Sequence, residues 1–169
     1  MDNLQAGDVL FIDSGTFIGN MVKFISEFNF GHVAIMVSDT EMVDIKAFSK
    51  SSIVHINDIQ FKRMVIKRTK QPLSREQVNQ LVKISYENLG KPYDYKAIFS
   101  LFIRYIFKTK FKSHTYELDH LYCSEFVDYV YKAIDCDLLP ENGNSLVGID
   151  DLFMSDKLFI HKEVIKWLM

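Results

Sequence analysis

Four short apolar segments follow one another between residues 32 and 68, and only short polar turns separate them. A parallel connection needs a crossover of about a dozen residues or more, so turns this short favour antiparallel pairing. One further strand is expected upstream. The chain is therefore predicted to build an antiparallel sheet from Asp8–Ile12, His32–Val37, Met42–Lys46, Ser52–Ile56 and Lys62–Arg68.

Segments with helical periodicity accompany these strands, which makes the fold class α+β. Ser14 is expected to cap a helix that runs through Phe28. Ser74 and Gln77 have the spacing of a capping box, and Gly90 stands where the helix after Pro72 should stop. Further elements are predicted as an apolar segment at Ala97–Phe107, helices at Ser124–Ile134 and Ile149–Phe153, and a strand at Leu158–His161.

The composition fits one globular domain over residues 1–169. Of the 169 residues 48% are apolar, and twenty-two acids nearly balance twenty bases. That balance argues against a dedicated nucleic-acid surface. The chain has two cysteines, shows no secretory leader pattern and contains no apolar run of about 18 residues. We therefore expect a cytoplasmic protein rather than a disulfide scaffold or a membrane span.

Cys123 lies at the predicted start of a helix, in the sequence Leu-Tyr-Cys-Ser-Glu-Phe-Val. The positive end of a helix dipole and its unpaired N–H groups favour a thiolate over a thiol, and the same N–H groups can bind an oxyanion. This is the placement that a nucleophile needs. The alternative is a small buried cysteine that only packs in the core. Cys136, between Asp135 and Asp137, should be the less reactive thiol.

His32 and Asp44 are polar residues of two successive predicted strands. His32 opens an otherwise apolar strand, where a general base could meet a thiol on an adjacent helix; a half-buried structural histidine is the alternative. A loop with an odd number of residues, such as Ser38–Thr40, would place Asp44 on the same face as His32, as a diagonal neighbour. A loop of two or four residues would place them on opposite faces. The imidazole could then be held by Asp13 or a backbone carbonyl, with Asp44 in solvent.

Four blocks of sequence, taken in order, resemble the circularly permuted NlpC-like cysteine peptidases, in particular the YiiX-like branch, which is related to the lecithin:retinol acyltransferase group. The blocks are Gly-Asp-Val-Leu-Phe-Ile at 7–12, Gly-His-Val-Ala-Ile-Met-Val at 31–37, Gly-Lys-Pro-Tyr-Asp at 90–94 and Tyr-Cys-Ser-Glu-Phe-Val at 122–127. Any single block is unspecific. Four blocks in the same order are a strong signature.

The resemblance implies a permuted papain-like fold, in which an antiparallel sheet or barrel packs against helices and the nucleophile stands at a helix N-terminus. It implies Cys123 as the nucleophile, His32 as the base and Asp44 as the residue that orients the imidazole. The branch commonly has Glu at this third position, one methylene longer. Three more residues are expected to bind the substrate or the oxyanion, namely Tyr93, Tyr122 and Ser124.

A basic aromatic segment, interpreted as an insertion at about 96–118, separates the Pro-Tyr-Asp block from Cys123. Between 96 and 112 it has five bases and no acid. We hypothesise that residues 96–112 form a lid or platform for an acyl chain, or contact an anionic membrane surface. The alternative is a core helix followed by a solvated basic loop.

These residues together predict a thiol-dependent hydrolase that works through a Cys-His-Asp triad and a thioester. It would be an amidase or peptidase, or an acyl hydrolase or acyltransferase, acting on a peptide- or acyl-containing substrate, lipids included. We expect no cofactor and no metal, because His114, His120, Cys123 and Cys136 fit no common zinc spacing. The alternative is a non-catalytic lipid- or peptide-binding domain that retains the papain-like fold.

Overall fold

A six-stranded sheet forms the centre of the computed structural model, which describes residues 3–107, 119–140 and 146–166. Its order is β4-β3-β2-β1-β5-β6, and every neighbouring pair is antiparallel. The strands predicted between residues 8 and 68 are confirmed to within two residues at each end. The strands are β1 (Val9–Asp13), β2 (His32–Met36), β3 (Glu41–Asp44), β4 (Ser52–His55), β5 (Arg63–Thr69) and β6 (Leu158–Ile165).

Five α-helices accompany the sheet in the described residues, and the predicted α+β class is confirmed. The predicted cap of the first helix is wrong. Its N-cap is Thr16 rather than Ser14, and the helix ends before Phe28 because Glu27 turns into the left-handed region with φ 55°. The capping box of Ser74 and Gln77 is present. The helices are α1 (Phe17–Ser26), α2 (Arg75–Glu87), α3 (Tyr95–Phe107), α4 (Cys123–Ala133) and α5 (Ile149–Phe153).

The two faces of the sheet have different covers. On one face, side chains such as Val33 and Ile35 belong to a large core that includes Phe126 and Val130 of α4. The other face carries a smaller apolar cluster, closed largely by loop residues such as Phe61. Helix α4 packs directly on β2. The helix-covered face therefore brings the start of α4 close to the central strands.

Gly19 in α1 and Gly31, directly before β2, lie against each other. A Cβ atom on Gly31 would overlap the backbone of Gly19. The two backbones can approach this closely because glycine has no side chain. The contact fixes α1 beside the residue that precedes His32.

Residues 90–94 are joined by backbone hydrogen bonds to the segment that leads into α4. The N–H of Asp94 donates to the carbonyl of Leu121 at 3.1 Å, and the N–H of Leu121 donates to the carbonyl of Pro92 at 3.2 Å. Tyr93 thereby forms a parallel bridge with Leu121. The Pro-Tyr-Asp block and the Tyr-Cys block, far apart in sequence, are neighbours in the fold, which places Tyr93 beside Cys123.

Candidate active site

The hairpin of β2 and β3 joins His32 to Asp44. Ile35 pairs with Val43 across the hairpin, and the N–H of Val37 donates to the carbonyl of Glu41 at 2.9 Å, which leaves the three-residue loop 38–40. In this odd-loop register the two polar residues are diagonal neighbours on one face. Nε2 of His32 lies 2.6 Å from Oδ1 of Asp44. Of the two registers that the sequence left open, the structure has the one that brings the pair together.

The second carboxylate oxygen of Asp44 is engaged as well. Lys46, two residues along, forms an ion pair with Oδ2. Asp13, the other carboxylate considered for the imidazole, lies 2.7 Å from Nζ of Lys23 and is occupied there. Asp44 is buried, whereas Lys46 is half exposed. The carboxylate on the imidazole is therefore held from both sides.

Cys123 is the first residue of α4, and Tyr122 is its N-cap. Among the described residues no side chain caps this end of the helix, and the first N–H groups of a helix lack intrahelical partners. Cys123 is buried, and its proximity to His32 helps to raise the pKa of that imidazole. Asp44 takes Nε2 of the ring, which leaves Nδ1 as its other nitrogen. The imidazole and the thiol line the same cavity.

The charges of the pair reinforce each other. Burial lowers the pKa of His32, but the carboxylate of Asp44 and the neighbouring Cys123 outweigh it and raise the pKa from 6.5 to about 10. Burial raises the pKa of Asp44, but His32 and Lys46 outweigh it and bring the pKa below its usual 3.8. At neutral pH the pair is an imidazolium and a carboxylate.

A cavity of about 310 Å³ opens beside these side chains, at the lower end of the range of small-molecule sites. His32 and Cys123 lie in its wall. Apolar side chains form much of the rest, among them Val22 of α1, Ile45 after β3 and Leu101 of α3. The nucleophile candidate therefore faces an apolar space.

The three residues expected to bind substrate or the oxyanion lie in different places. Tyr93 lines the cavity, and burial, then the charge of Cys123, raise its pKa well above 10, so its hydroxyl is a donor at neutral pH. Ser124 also lines the cavity, and its Oγ donates to the carbonyl of Val147 at 2.8 Å. Tyr122 is fully buried, and its hydroxyl accepts the N–H of Val147 at 3.1 Å. The side chain of Tyr122 supports the wall from behind.

The described part of the basic aromatic segment forms α3, which is a wall of this cavity. Ile98, Leu101 and Tyr105 face the cavity, while Phe99 and Phe107 are exposed on the outside. The rest of the predicted insertion, residues 108–118, lies outside the described residues, including Lys108, Lys110 and Lys112.

The sequence did not predict that side chains of α3 bind the segment 146–151. The guanidinium of Arg104 holds both carboxylate oxygens of Asp151 at 2.7 and 2.9 Å, and it also donates to the carbonyl of Leu146. The hydroxyl of Tyr105 donates to Asp150. Two sequence features could have suggested this pairing. Arg104 is the single arginine of an apolar helix, and two adjacent aspartates, Asp150 and Asp151, follow downstream.

A thiol at a helix start, an imidazole and a carboxylate on a sheet of this kind form the arrangement that papain-like cysteine hydrolases share. Residues 3–141 match the family described as permuted papain-like amidase enzyme, YaeF/YiiX, C92 family, and the chain belongs to this family. The predicted family is thereby confirmed. No curated protein matches the chain in sequence.

The fold is similar to the crystal structure of the metalloprotein yiiX from Escherichia coli O157:H7. The TM-score is 0.66 at 18% identity, and the match covers 97% of this chain and 98% of that one. This likeness supports the permuted papain-like fold. That protein is described as a metalloprotein. Within residues 3–107, 119–140 and 146–166 of this chain, no group of three or more His, Cys, Asp or Glu side chains is placed to hold a metal ion.

The same ranges contain no helix that is both long and apolar enough to cross a membrane.

Proposed function

We propose that the protein is a cysteine hydrolase in which Cys123 is the nucleophile, His32 the acid and base, and Asp44 the residue that orients the imidazole. The observation that carries the proposal is the position of His32, whose Nε2 lies 2.6 Å from Asp44 and which lines the same cavity as Cys123. A nucleophile, its base and a third group that orients the base are the minimum for thiol catalysis. The family is described as one of amidases, which supports hydrolysis of an amide.

The first half of the reaction forms a thioester. The sulfur of Cys123 attacks the carbonyl carbon, and the carbonyl oxygen becomes an oxyanion. The N–H groups at the start of α4, including that of Ser124, are placed to receive this charge, and the protonated hydroxyl of Tyr93 is a further donor. His32 gives its proton to the leaving amine or alcohol as the bond between it and the carbonyl carbon breaks.

The second half releases the acyl group. His32, now neutral, takes a proton from water or from an acceptor, which attacks the thioester carbonyl. The carbon–sulfur bond breaks and Cys123 is regenerated. With water the enzyme is a hydrolase, and with an amine or alcohol acceptor it is an acyltransferase. Asp44 holds the imidazole through Nε2 in both halves.

Activity-based profiling with acyl and peptidyl electrophiles tests this proposal. Wild type and Cys136→Ala should be labelled once, at Cys123, and should turn over the corresponding ester or amide, whereas Cys123→Ala should do neither. Peptide mapping of the labelled protein identifies the modified thiol. Labelling at equal rates on both cysteines, with no turnover of any substrate, would instead support a binding domain that keeps the fold.

The exposed side of α3 supports a peripheral membrane contact as a second part of the proposal. Phe99, Ile106 and Phe107 are each at least 60% exposed, and aromatic side chains beside bases favour an anionic lipid surface. Co-sedimentation with vesicles of anionic lipid at low and moderate salt measures this contact. Phe99→Ser should reduce the bound fraction, and equal binding to neutral vesicles would contradict a charge-assisted contact.

A further inference from the structure

The backbone of one distant residue, Val147, holds the start of α4. The N–H of Val147 donates to the hydroxyl of Tyr122 at 3.1 Å, and its carbonyl accepts the hydroxyl of Ser124 at 2.8 Å. Both hydrogen bonds are buried. Tyr122 and Ser124 are the two neighbours of Cys123 in the sequence. One residue therefore binds the chain on each side of the candidate nucleophile.

This hold stands in the place of a helix cap. Tyr122 is the N-cap of α4, and no side chain of the described residues caps this end of the helix. An N-cap side chain binds the first backbone N–H groups, and it would compete with an oxyanion for them. The bonds of Val147 are made to the side chains of Tyr122 and Ser124. They fix the first turn without using those N–H groups.

Val147 is itself bracketed by a single ion pair. Arg104 donates to the carbonyl of Leu146, the residue before it. Asp151 accepts the N–H of Gly148, the residue after it, at 2.8 Å. Arg104 and Asp151 bind each other through two hydrogen bonds of 2.7 and 2.9 Å. Because a bidentate arginine–carboxylate pair fixes the orientation of both groups, it fixes the peptide groups on either side of Val147.

The ion pair is largely shielded from water, and the segment fits closely against α3. The side chains of Arg104 and Asp151 are 11% and 21% exposed. A Cβ atom on Gly148 would overlap the hydroxyl of Tyr105 and the carboxylate of Asp150, which are hydrogen-bonded to each other. The absence of a side chain at Gly148 therefore allows the segment to lie directly against the helix.

Donors stabilise an oxyanion only when they are held at the correct distance, and a displacement of about 1 Å can cost about 10²-fold in rate. We propose that the ion pair of Arg104 with Asp151 is a positioning element for the reaction. It fixes Val147 and thereby the N–H groups at the start of α4. Neither side chain is among the described residues that line the cavity, so the pair acts through Val147 and Ser124. The inference rests on the proposed role of Cys123.

Two reactions of Cys123 separate a displacement of these N–H groups from general damage to the site. The acetyl group of p-nitrophenyl acetate passes to the sulfur through a tetrahedral oxyanion, and p-nitrophenolate leaves. Iodoacetamide is attacked at a saturated carbon and loses iodide, with no oxyanion. All proteins carry Cys136→Ala, so that Cys123 is the only thiol of the chain. The readout is the ratio of the second-order rate of acylation to that of alkylation, with peptide mapping of the modified residue.

Arg104→Gln, Asp151→Asn and Ser124→Ala should each lower the acylation rate by about tenfold or more, a part of the 10² to 10³-fold that the loss of an oxyanion donor costs. The alkylation rate should stay within about threefold, because His32 and its carboxylate are unchanged. Arg104→Gln combined with Asp151→Asn should cost little more than either alone, since both remove the same hold.

Two matched controls remove similar bonds elsewhere. Arg68→Gln breaks the ion pair of Arg68 with Asp8, whose two hydrogen bonds are 2.6 and 2.8 Å long. Ser100→Ala removes a hydroxyl that donates to the carbonyl of Lys96 at 3.0 Å on α3. Both variants should keep the wild-type ratio, even where urea unfolding shows a lower stability.

An unchanged ratio in Arg104→Gln and Asp151→Asn, or an equal fall in Arg68→Gln, would overturn the inference while Cys123 still reacts. Parallel losses in both reactions would also overturn it, because the ion pair would then only stabilise the fold. Failure of Cys123 to be acylated when the rest of the chain is wild type would instead overturn the proposed function itself.

Discussion

Helix α4 has a cysteine at its start and another just beyond its end, and the two lie in opposite surroundings. Cys123 is buried against His32, at the end of the helix where the dipole is positive. Cys136 follows the last turn, and its N–H donates to the carbonyl of Tyr131 at 3.0 Å, at the negative end. Burial and then Asp137 raise the pKa of Cys136, with Lys157 opposing them. On the proposed function, the cysteine at the start of the helix is the nucleophile and the one beyond its end is not.

On the proposed function, the position of each cysteine and its neighbours should decide its reactivity. Both cysteines are at least partly buried, so burial does not separate them. Two things do separate them, namely the charge of the nearby helix end and the presence of His32 on β2 beside Cys123 alone. Removing His32 or its carboxylate should therefore lower the reactivity of Cys123 toward that of Cys136.

The largest expected fall in kcat/KM comes from removing the sulfur of Cys123. Cys123→Ala should lower kcat/KM by about 10⁴-fold or more, because the thioester route closes. Cys136→Ala should stay within about twofold, as expected for a substitution away from the site. Turnover of the best ester or amide from the profiling measures both. Comparable losses in the two variants would mean that the two ends of α4 do not differ as described.

Removal of the base comes next. His32→Ala should lower kcat/KM by about 10² to 10⁴-fold, the usual contribution of general acid–base catalysis. It should also slow alkylation of Cys123 by iodoacetamide near pH 7 until its rate approaches that of Cys136. His161→Ala, on strand β6, is the control. An unchanged alkylation rate in His32→Ala would show that the imidazole does not act on the thiol.

The orienting carboxylate should have a smaller effect with a distinct pH signature. Asp44→Asn should lower kcat/KM by about 10² to 10³-fold, because an amide holds the ring less well and does not stabilise the imidazolium. Since Asp44 raises the pKa of His32 toward 10, the upper limb of the pH–rate profile should move to lower pH. Asp13→Asn should leave the profile in place. A loss of rate with no movement of that limb would assign Asp44 a purely structural role.

The smallest expected effect concerns stability. Because the pKa of His32 is raised in the folded state, its contribution to the free energy of unfolding is complete below pH 6.5. This contribution is lost as the pH rises through about 10. Because the pKa of Asp44 is lowered in the folded state, its contribution to the free energy of unfolding is present above pH 3.8. This contribution is lost as the pH falls below that value.

The pair should therefore stabilise the fold most between about pH 4 and 6.5. The free energy of unfolding of Asp44→Asn should be lower than that of wild type by about 3 kcal/mol in this window, as for a broken buried pair. The difference should shrink toward pH 10. Urea unfolding at several pH values measures it, and a constant difference would contradict the linkage.

Features that depend on local pattern could be predicted from the sequence. The strands of the sheet follow from alternation and short turns, and the box of Ser74 and Gln77 follows from spacing. The permuted family follows from four ordered blocks. The N-cap of α1 could not be chosen locally, because Ser14 and Thr16 both suit a cap; in the structure the N–H of Gly19 donates to Oγ1 of Thr16 at 3.2 Å.

Features that depend on contacts between distant residues could not be predicted from the sequence. The hold of Arg104 on Asp151 joins residues 47 apart in sequence, and no periodicity announces it. Phe48 is the third residue of a tight turn and has a φ of 65°. This position favours glycine, so local rules would place no phenylalanine there. The resemblance placed Tyr122 among the residues that bind the substrate or the oxyanion, yet its hydroxyl accepts the N–H of Val147.

The hairpin that joins His32 and Asp44 also sets the order in which the site is assembled during synthesis. The two residues are twelve apart, whereas Cys123 follows Asp44 by 79 residues, and chains leave the ribosome N-terminus first. The imidazole and its carboxylate are therefore synthesised long before the sulfur. A nascent or truncated chain carries an imidazole with no thiol beside it, and the candidate site is complete only when the late helix α4 docks on the early sheet.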